Sequence, residues 1–156
     1  MTRWLDEDEQ QTWRSFLATS ELLYGALDRQ LQRDAGITHA SYIVLAMLSE
    51  APDRSLRMSD LALRANSSPS RLSHAVARLE ARGWVRREPA PKDGRGTVAV
   101  LTDAGLQMLV DTAPGHVTAV REHLFDQLTP EQVRALGDIC AIVLDGLDPN
   151  RVARPC

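Results

Sequence analysis

The 156-residue sequence has only two cysteines, Cys140 and Cys156, and a single lysine among its 18 cationic residues. Two cysteines are too few for a disulfide framework and lack the spacing of metal ligands, which agrees with a reducing compartment. The longest apolar run, residues 42–48, is far shorter than the roughly 20 residues that a membrane-spanning helix needs. The first nine residues carry four acids and no apolar block, unlike a secretory signal. We therefore expect a cytoplasmic protein without a membrane span.

Catalytic motifs are also missing from the sequence. It has no nucleophile elbow, phosphate loop, paired-carboxylate motif or metal-binding histidine motif. His116 and His123 are two helical turns apart, too far to bind one ion by themselves. Cys140 falls in an apolar stripe and Cys156 stands beside the terminal carboxylate, so neither is favoured as a redox sensor. These absences predict a protein that is not an enzyme and holds no cofactor or metal.

Charge is distributed unevenly along the chain, although the overall net charge is only −3. Residues 54–95 contain ten cations and four acids, whereas the remaining residues contain eight cations and 17 acids. A basic segment inside an acidic protein is typical of a chain in which one part meets an anion such as nucleic acid. A solvated arginine-rich face is the alternative.

Capping residues and apolar spacing predict two helices before the basic segment. The first covers residues 6–34, and the second begins after Thr38 and ends before Pro52. A very short strand over residues 56–58 and a brief helix capped by Ser59 are expected next.

The stretch SPSRLSHAVARLEARG, residues 68–83, has strong helix signals. Ser68 is a favoured N-cap, Pro69 suits the first helical position, and Gly83 supplies a left-handed end. At 100° per residue, one side of this helix is apolar and the opposite side is polar and basic: Leu72, Ala75, Val76 and Leu79 against Ser70, Arg71, His74 and Arg78. A short helix, a turn and this second helix form a helix-turn-helix pattern.

Two strands, WVRREPA and TVAVLT, flank an Asp-Gly turn that follows the basic helix. A hairpin in this place is a wing. Thr102 then caps a long helix in which Pro114 predicts a kink or break. The last helix, residues 129–147, carries an apolar stripe of Val133, Leu136, Cys140, Val143 and Leu147. The predicted fold is therefore mainly α with a small β-hairpin wing, a winged helix-turn-helix joined to further helices.

This order of elements resembles the MarR family of bacterial transcription regulators over roughly residues 10–148. The most specific segments are SPSRLSHAVARLEARGWVRR at 68–87, KDGR at 92–95 and AVLTDAG at 99–105. The resemblance implies a winged helix-turn-helix region over residues 38–102 and a helical dimerisation region formed by residues 1–37 and 103–148, followed by a tail at 149–156. It also implies a homodimer that reads a pseudo-palindromic DNA operator, with repression as the default.

The apolar faces of the first and last helices suit dimerisation, with packing in a monomer core as the alternative. In the resemblance, Arg95 of the wing enters the minor groove, and Asp93 restrains nearby basic residues. Whether Asp93 pairs with Arg95, Arg86 or Arg87 is left open.

Candidate DNA contacts can be ranked by residue type and position. Arg71 lies in the first turn of the basic helix and is the best candidate for bidentate guanine readout. Phosphate or flexible base contacts are expected from Ser68, Ser70, Ser73 and His74, and phosphate contacts from Arg78, Arg86 and Arg87, with Lys92 also assigned to the interface.

The family usually binds an aromatic or phenolic effector between the dimerisation helices and the winged helix. Residues of a suitable type are Trp13, Phe16, His39 and Tyr42, although an aromatic pair at helical spacing is also typical of a core. Two other functions compete with that of a specific regulator, namely a non-specific architectural DNA-binding protein and a winged-helix module for protein contacts.

Overall fold

The computed structural model describes residues 1–90 and 96–148. The described part of the chain contains six α-helices and three short strands, with single 3₁₀ turns at Pro52–Arg54 and Phe125–Gln127. The helices are α1 (Glu7–Ala35), α2 (His39–Glu50), α3 (Met58–Arg64), α4 (Pro69–Ala81), α5 (Asp103–His123) and α6 (Pro130–Leu147), and the strands are β1 (Ser55–Arg57), β2 (Val85–Pro89) and β3 (Thr97–Leu101). A mainly helical fold with a winged helix-turn-helix is confirmed.

Local capping explains where the helices begin. Asp6 and Glu9 form a reciprocal capping box at the start of α1, and Thr129 and Gln132 form another at the start of α6. Thr38 accepts a hydrogen bond from the backbone N of Ser41 and caps α2. Each cap satisfies backbone N–H groups that the first helical turn leaves unpaired, so these predicted starts are confirmed.

The core surrounds α2, which is apolar on most of its circumference and therefore central. The largest fully buried side chains of the core come from the end of α1 and from four other elements, α2, α3, α4 and β2: Leu31, Leu45, Leu48, Leu61, Leu72, Val76, Leu79 and Val85. The N-terminal half of α1 and all of α6 lie outside this core, since the buried residues of α1 begin at Leu27 and α6 has none.

The three strands form one antiparallel sheet in the order β1-β3-β2. Ala99 in the central strand pairs with Leu56 on one side and Arg87 on the other. Residues 98–101 of β3 are all buried, because both faces of this strand are covered: Ala99 and Leu101 pack in the main core, and Val98 and Val100 pack with Ala90 in a second cluster.

The expected cap at Ser59 is wrong. The strand before it is one residue earlier than predicted, and α3 begins at Met58 with Arg57 in the N-cap position and no side-chain cap. Pairing of Arg57 with Val98 holds Arg57 in an extended conformation, so the helix starts directly after the strand and Ser59 lies inside it.

At Pro114 the sequence predicts a kink or a break. The break does not occur, because α5 runs without interruption to His123, and the kink stays a prediction. Proline removes one hydrogen bond to the carbonyl of residue 110, and Val110 is exposed, so water can replace that bond. Thr112, His116 and Ala119 are buried on both sides of the proline and fix the two halves against α1. No helix among the described residues is long and apolar enough to cross a membrane.

Candidate nucleic-acid interface

The second helix of the helix-turn-helix, α4, is anchored by its apolar side. Ser68 Oγ accepts a hydrogen bond from the backbone N of Arg71 at 3.3 Å, and Pro69 occupies the first turn. The four predicted apolar residues, Leu72, Ala75, Val76 and Leu79, are all buried. Their burial fixes the rotation of the helix and confirms which face points away from the protein.

That outer face is exposed and cationic. Ser70, Arg71, His74 and Arg78 are exposed, while Ser73 is half-buried at the edge of the face. Neither Arg71 nor Arg78 forms an ion pair with any residue that the structure describes. Their guanidinium donors are therefore available to an external acceptor, and the hydroxyl of Ser68 remains available as a donor.

The two arginines of β2 are placed differently. Arg86 pairs with Glu88 on the same strand, and Arg87 pairs with Glu80 of α4, the Nη2 to Oε2 distance being 2.7 Å. Sequence reasoning missed Glu80, although its position seven residues before Arg87 is visible in the sequence. The remaining wing residues of the predicted interface, Lys92, Asp93 and Arg95, lie outside the described residues, and the partner of Asp93 stays open.

A cleft of about 400 Å³ separates α4 from the sheet. It is lined by Arg57, Met58, Ser59, Pro69, Ser73, Arg87, Gly96 and Thr97. The cleft adds Arg57 and Ser59 to the basic, hydroxyl-rich surface beside α4. Neither residue was assigned to the interface from sequence, because only the pairing of β1 with β3 brings this segment beside the wing.

The C-terminal end of α4 is attached to the other elements by hydrogen bonds. Arg82 donates from Nη2 to the carbonyl of Gly36, which ends α1, and its guanidinium lies 4.9 Å from the ring centroid of Trp84. The backbone N of Thr102, at the start of α5, donates to the carbonyl of Trp84 at 3.0 Å. These contacts position α4 and the wing relative to α1 and α5.

A second cluster of polar and aromatic side chains lies where α1, α2 and α5 meet. The His116 ring contacts Tyr42 and His39, with centroid distances of 4.4 and 5.6 Å, and Tyr24 lies 5.5 Å from His39. His116 Nδ1 is 3.2 Å from Gln30 Oε1. His39 and Tyr42, predicted from sequence as pocket residues, are thus brought together, and His116 joins them.

Burial determines the ionisation of this cluster. Desolvation lowers the pKa of His39, partly opposed by the charge of Asp28, and desolvation with the neighbouring His39 lowers the pKa of His116. Burial raises the pKa of Tyr42. All three side chains are therefore neutral at pH 7, as suits an uncharged aromatic environment.

Trp13 and Phe16 do not join this cluster within one protomer. They stack on each other with a centroid distance of 6.2 Å on the exposed first half of α1. Phe16 precedes Tyr24 by two helical turns, about 12 Å along the axis at ~1.5 Å per residue.

Known proteins share this architecture. A family model described as MarR family matches residues 35–96. The crystal structure of Sco3205, a MarR family transcriptional regulator from Streptomyces coelicolor in complex with DNA, is 55% identical, with a TM-score of 0.92 over 99% of this chain and 97% of that one. The chain belongs to the MarR family.

Two further relatives agree with this membership. AbsC, a MarR family transcriptional regulator from Streptomyces coelicolor, is 42% identical, with a TM-score of 0.87 over 94% of this chain and 98% of that one. The HTH-type transcriptional repressor YetL of Bacillus subtilis is 29% identical over 107 residues, 67% of this chain and 64% of YetL. The MarR fold therefore extends beyond residues 35–96 to the first and last helices.

Proposed function

We propose that this MarR-family protein is a homodimeric, sequence-specific DNA-binding transcription regulator of the cytoplasm, a repressor that a small aromatic ligand releases from its operator. The outer face of α4 carries this proposal, because Arg71 and Arg78 are exposed there without an ion-pair partner among the described residues. Sco3205 was crystallised with DNA and YetL is named a repressor, which supports the same function for this chain.

Arg71 is the residue to which we assign base recognition. It lies in the first turn of α4, and the Ser68 cap fixes the backbone from which its side chain extends. The N-terminal turns of a recognition helix reach base edges in the major groove, where arginine binds guanine O6 and N7 together. Arg78 lies two turns further along the same face and is assigned to phosphate.

The two arginines provide a matched pair for testing specificity. Arg71→Ala is expected to weaken operator binding by about 1–3 kcal/mol and to change binding to random DNA much less. Arg78→Ala should weaken both by similar amounts, since a phosphate contact carries no sequence information. Titrations of both variants against a footprinted operator and a scrambled duplex make the comparison.

The same titrations distinguish the competing functions. A non-specific architectural protein would lose equal affinity for operator and scrambled DNA in the Arg71→Ala variant. A winged-helix module for protein contacts would bind neither duplex, and the cationic outer face of α4 argues against it.

Dimerisation is proposed from the apolar side chains that one protomer leaves exposed. On α6 they include Ile139, Ile142 and Leu147, and on α1 they include Trp13 and Phe16. Such patches mark interaction surfaces, and a two-fold dimer would place two copies of α4 on successive half-sites. The absence of buried residues in α6 disfavours the alternative of a monomer core for that helix.

A single charged substitution tests whether the exposed face of α6 forms the dimer interface. Ile142 is 74% exposed in the protomer, and Ile142→Glu would place a carboxylate in the proposed interface without disturbing the monomer core. We expect the wild type to sediment as a dimer at micromolar concentration and the variant to shift toward the 17.3 kDa monomer. A wild type that sediments only as a monomer would contradict the dimer.

The effector site is proposed at the junction of α1, α2 and α5, around His39 and Tyr42. Their neutral, ring-rich surroundings suit an aromatic ligand whose polar group reaches His116 or Gln30. Trp13 and Phe16 remain candidates only if another protomer brings them to the junction. A panel of aromatic acids added to the operator complex should release DNA, and release should weaken in Tyr42→Ala; a panel without any effect would contradict the site.

A further inference from the structure

One ion pair connects α4 directly to the wing strand β2. Glu80, in the last turn of α4, accepts hydrogen bonds from Arg87 at its backbone N (3.2 Å), Nε (3.0 Å) and Nη2 (2.7 Å). A guanidinium and a backbone N–H that bind the same carboxylate stabilise its ionised form and also fix its position. The contact therefore fixes the distance between helix and strand at this point.

The pair holds Arg87 away from other acceptors. Hydrogen bonding from the Arg87 side chain, the largest effect, lowers the pKa of Glu80, so the carboxylate is ionised at neutral pH. Only 33% of the Arg87 side chain and 37% of the Glu80 side chain are exposed. The neighbouring Arg86 differs, because its ion pair with Glu88 lies within a single strand.

The position of Arg87 in the sheet explains what the pair controls. Arg87 is paired with Ala99 of the central strand, and it lines the cleft between α4 and the wing beside Ser73 and Arg57. Two other contacts join these elements: the backbone hydrogen bond from Trp84 N to the carbonyl of Leu79 at 3.1 Å, and the burial of Val85 in the same core as Leu79. Neither of them holds the outer edge of β2, where Arg87 lies. Loss of the Glu80 contact would allow the strand to move relative to the helix.

We propose that Glu80 is a positioning residue for DNA recognition, which acts through Arg87 to hold the wing at the distance from α4 at which both reach the same DNA. This role rests on the proposed DNA-binding function. In this role Arg87 links α4 to β2 and does not bind phosphate, the contact that the sequence predicts for it. A preformed arrangement binds better because the ordering cost is met before DNA arrives.

The Glu80→Ala variant distinguishes a phosphate-binding Arg87 from an Arg87 that positions the wing, because the two roles predict opposite changes in operator affinity. If Arg87 binds phosphate, the variant frees its guanidinium and removes a negative charge near DNA, so operator binding tightens. If Glu80 positions the wing, operator binding weakens by about three- to tenfold, the range for one partly exposed charge-assisted contact. Alanine favours helix, so α4 should remain intact.

Salt dependence gives an independent readout. Arg87→Met should weaken operator binding by a similar factor and leave the slope of log affinity against log salt unchanged. A lost phosphate contact would instead reduce that slope by about 0.9 per contact. The double variant Glu80→Ala with Arg87→Met should bind no more weakly than the weaker single variant, because both changes remove one link.

Glu88→Ala is the matched control, since it removes a carboxylate from an arginine of the same strand without breaking a link between elements. Its operator binding should equal or exceed that of the wild type. Thermal unfolding of each variant verifies that the fold is retained. On an operator shortened to the base pairs under α4 alone, the deficit of Glu80→Ala should disappear, because no wing contact remains to be positioned.

The outcomes separate the role of Glu80 from the wider function. If the wild type binds no DNA, the regulator function fails and the role of Glu80 fails with it. If the wild type binds and Glu80→Ala binds equally or more tightly, or if its deficit persists on the shortened operator, only the positioning role is overturned.

Discussion

Gly105, in the first turn of α5, packs so closely against the base of the wing that any larger residue must displace backbone. A Cβ atom at this position would lie 2.1 Å from the carbonyl oxygen of Trp84, 2.9 Å from its carbonyl carbon and 2.8 Å from Leu101 Cδ1. Leu101 can change rotamer, but the Trp84 carbonyl accepts the backbone hydrogen bond from Thr102 and cannot move without loss of that bond. Gly105→Ala should therefore separate α5 from the wing.

The expected free-energy change combines three effects. Overpacking in a rigid site costs about 1–3 kcal/mol. Weakening of the bond from Thr102 to Trp84 adds about 0.5–1.5 kcal/mol. Alanine in a helix offsets about 1 kcal/mol of this total. The net destabilisation is about 2 kcal/mol, which corresponds to a fall in Tm of about 4–8 °C for a chain of this size.

Urea unfolding of Gly105→Ala measures this change, with Gly115→Ala on the same helix as the matched control. The added Cβ at residue 115 would meet only the ends of the Asp34 and Gln30 side chains, both at 3.6 Å, which is an ordinary contact. The control should gain up to about 1 kcal/mol from helix propensity. If Gly105→Ala were as stable as Gly115→Ala, α5 and the wing could move apart at little cost in free energy, which would refute the steric reasoning.

Two further changes test other parts of the molecule. Because burial lowers the pKa of His116 below its ordinary value of 6.5, the unfolded chain binds a proton more readily, and stability should fall as pH drops below 6.5. His116→Gln should flatten that decline in urea titrations from pH 8 to 5, and an unchanged decline would contradict the role of His116 burial. Arg82→Ala removes the hydrogen bond to the Gly36 carbonyl and the contact with the Trp84 ring. The free energy of unfolding in urea should fall by about 1–2 kcal/mol. An unchanged free energy of unfolding would mean that α1 and α4 are held together by the core alone.

Local signals made most of the helices predictable. The caps at Asp6, Thr38, Ser68, Thr102 and Thr129 were readable because each involves residues within one helical turn. The orientation of α4 followed in the same way, since the 100° spacing of its apolar residues determines which face is buried. These signals and their order predicted the family and the fold class, and the solved structure of Sco3205 and the observed fold confirm both.

Long-range contacts explain what was missed. Ser59 has the residue type of a cap, but the pairing of Arg57 with Val98 sets the start of α3. Similarly, His116 gave no pattern of its own in the sequence, and its contacts with Gln30 and Tyr42 depend on the packing of α5 against α1 and α2. Side-chain pairs between elements require the tertiary arrangement, which spacing along the chain does not supply.

The attachments of α4 indicate how a ligand at the junction of α1, α2 and α5 would alter DNA binding. His39 opens α2, and α2 packs against α4 through the core that both helices share. A close-packed interior transmits a displacement and does not absorb it. Because Glu80 links α4 to Arg87 of the wing, a ligand that separates α2 from α5 should shift helix and wing together. In a two-fold dimer such a shift changes the separation of the two recognition helices while each half-site surface stays intact, so loss of operator spacing, and not loss of base contacts, would cause release.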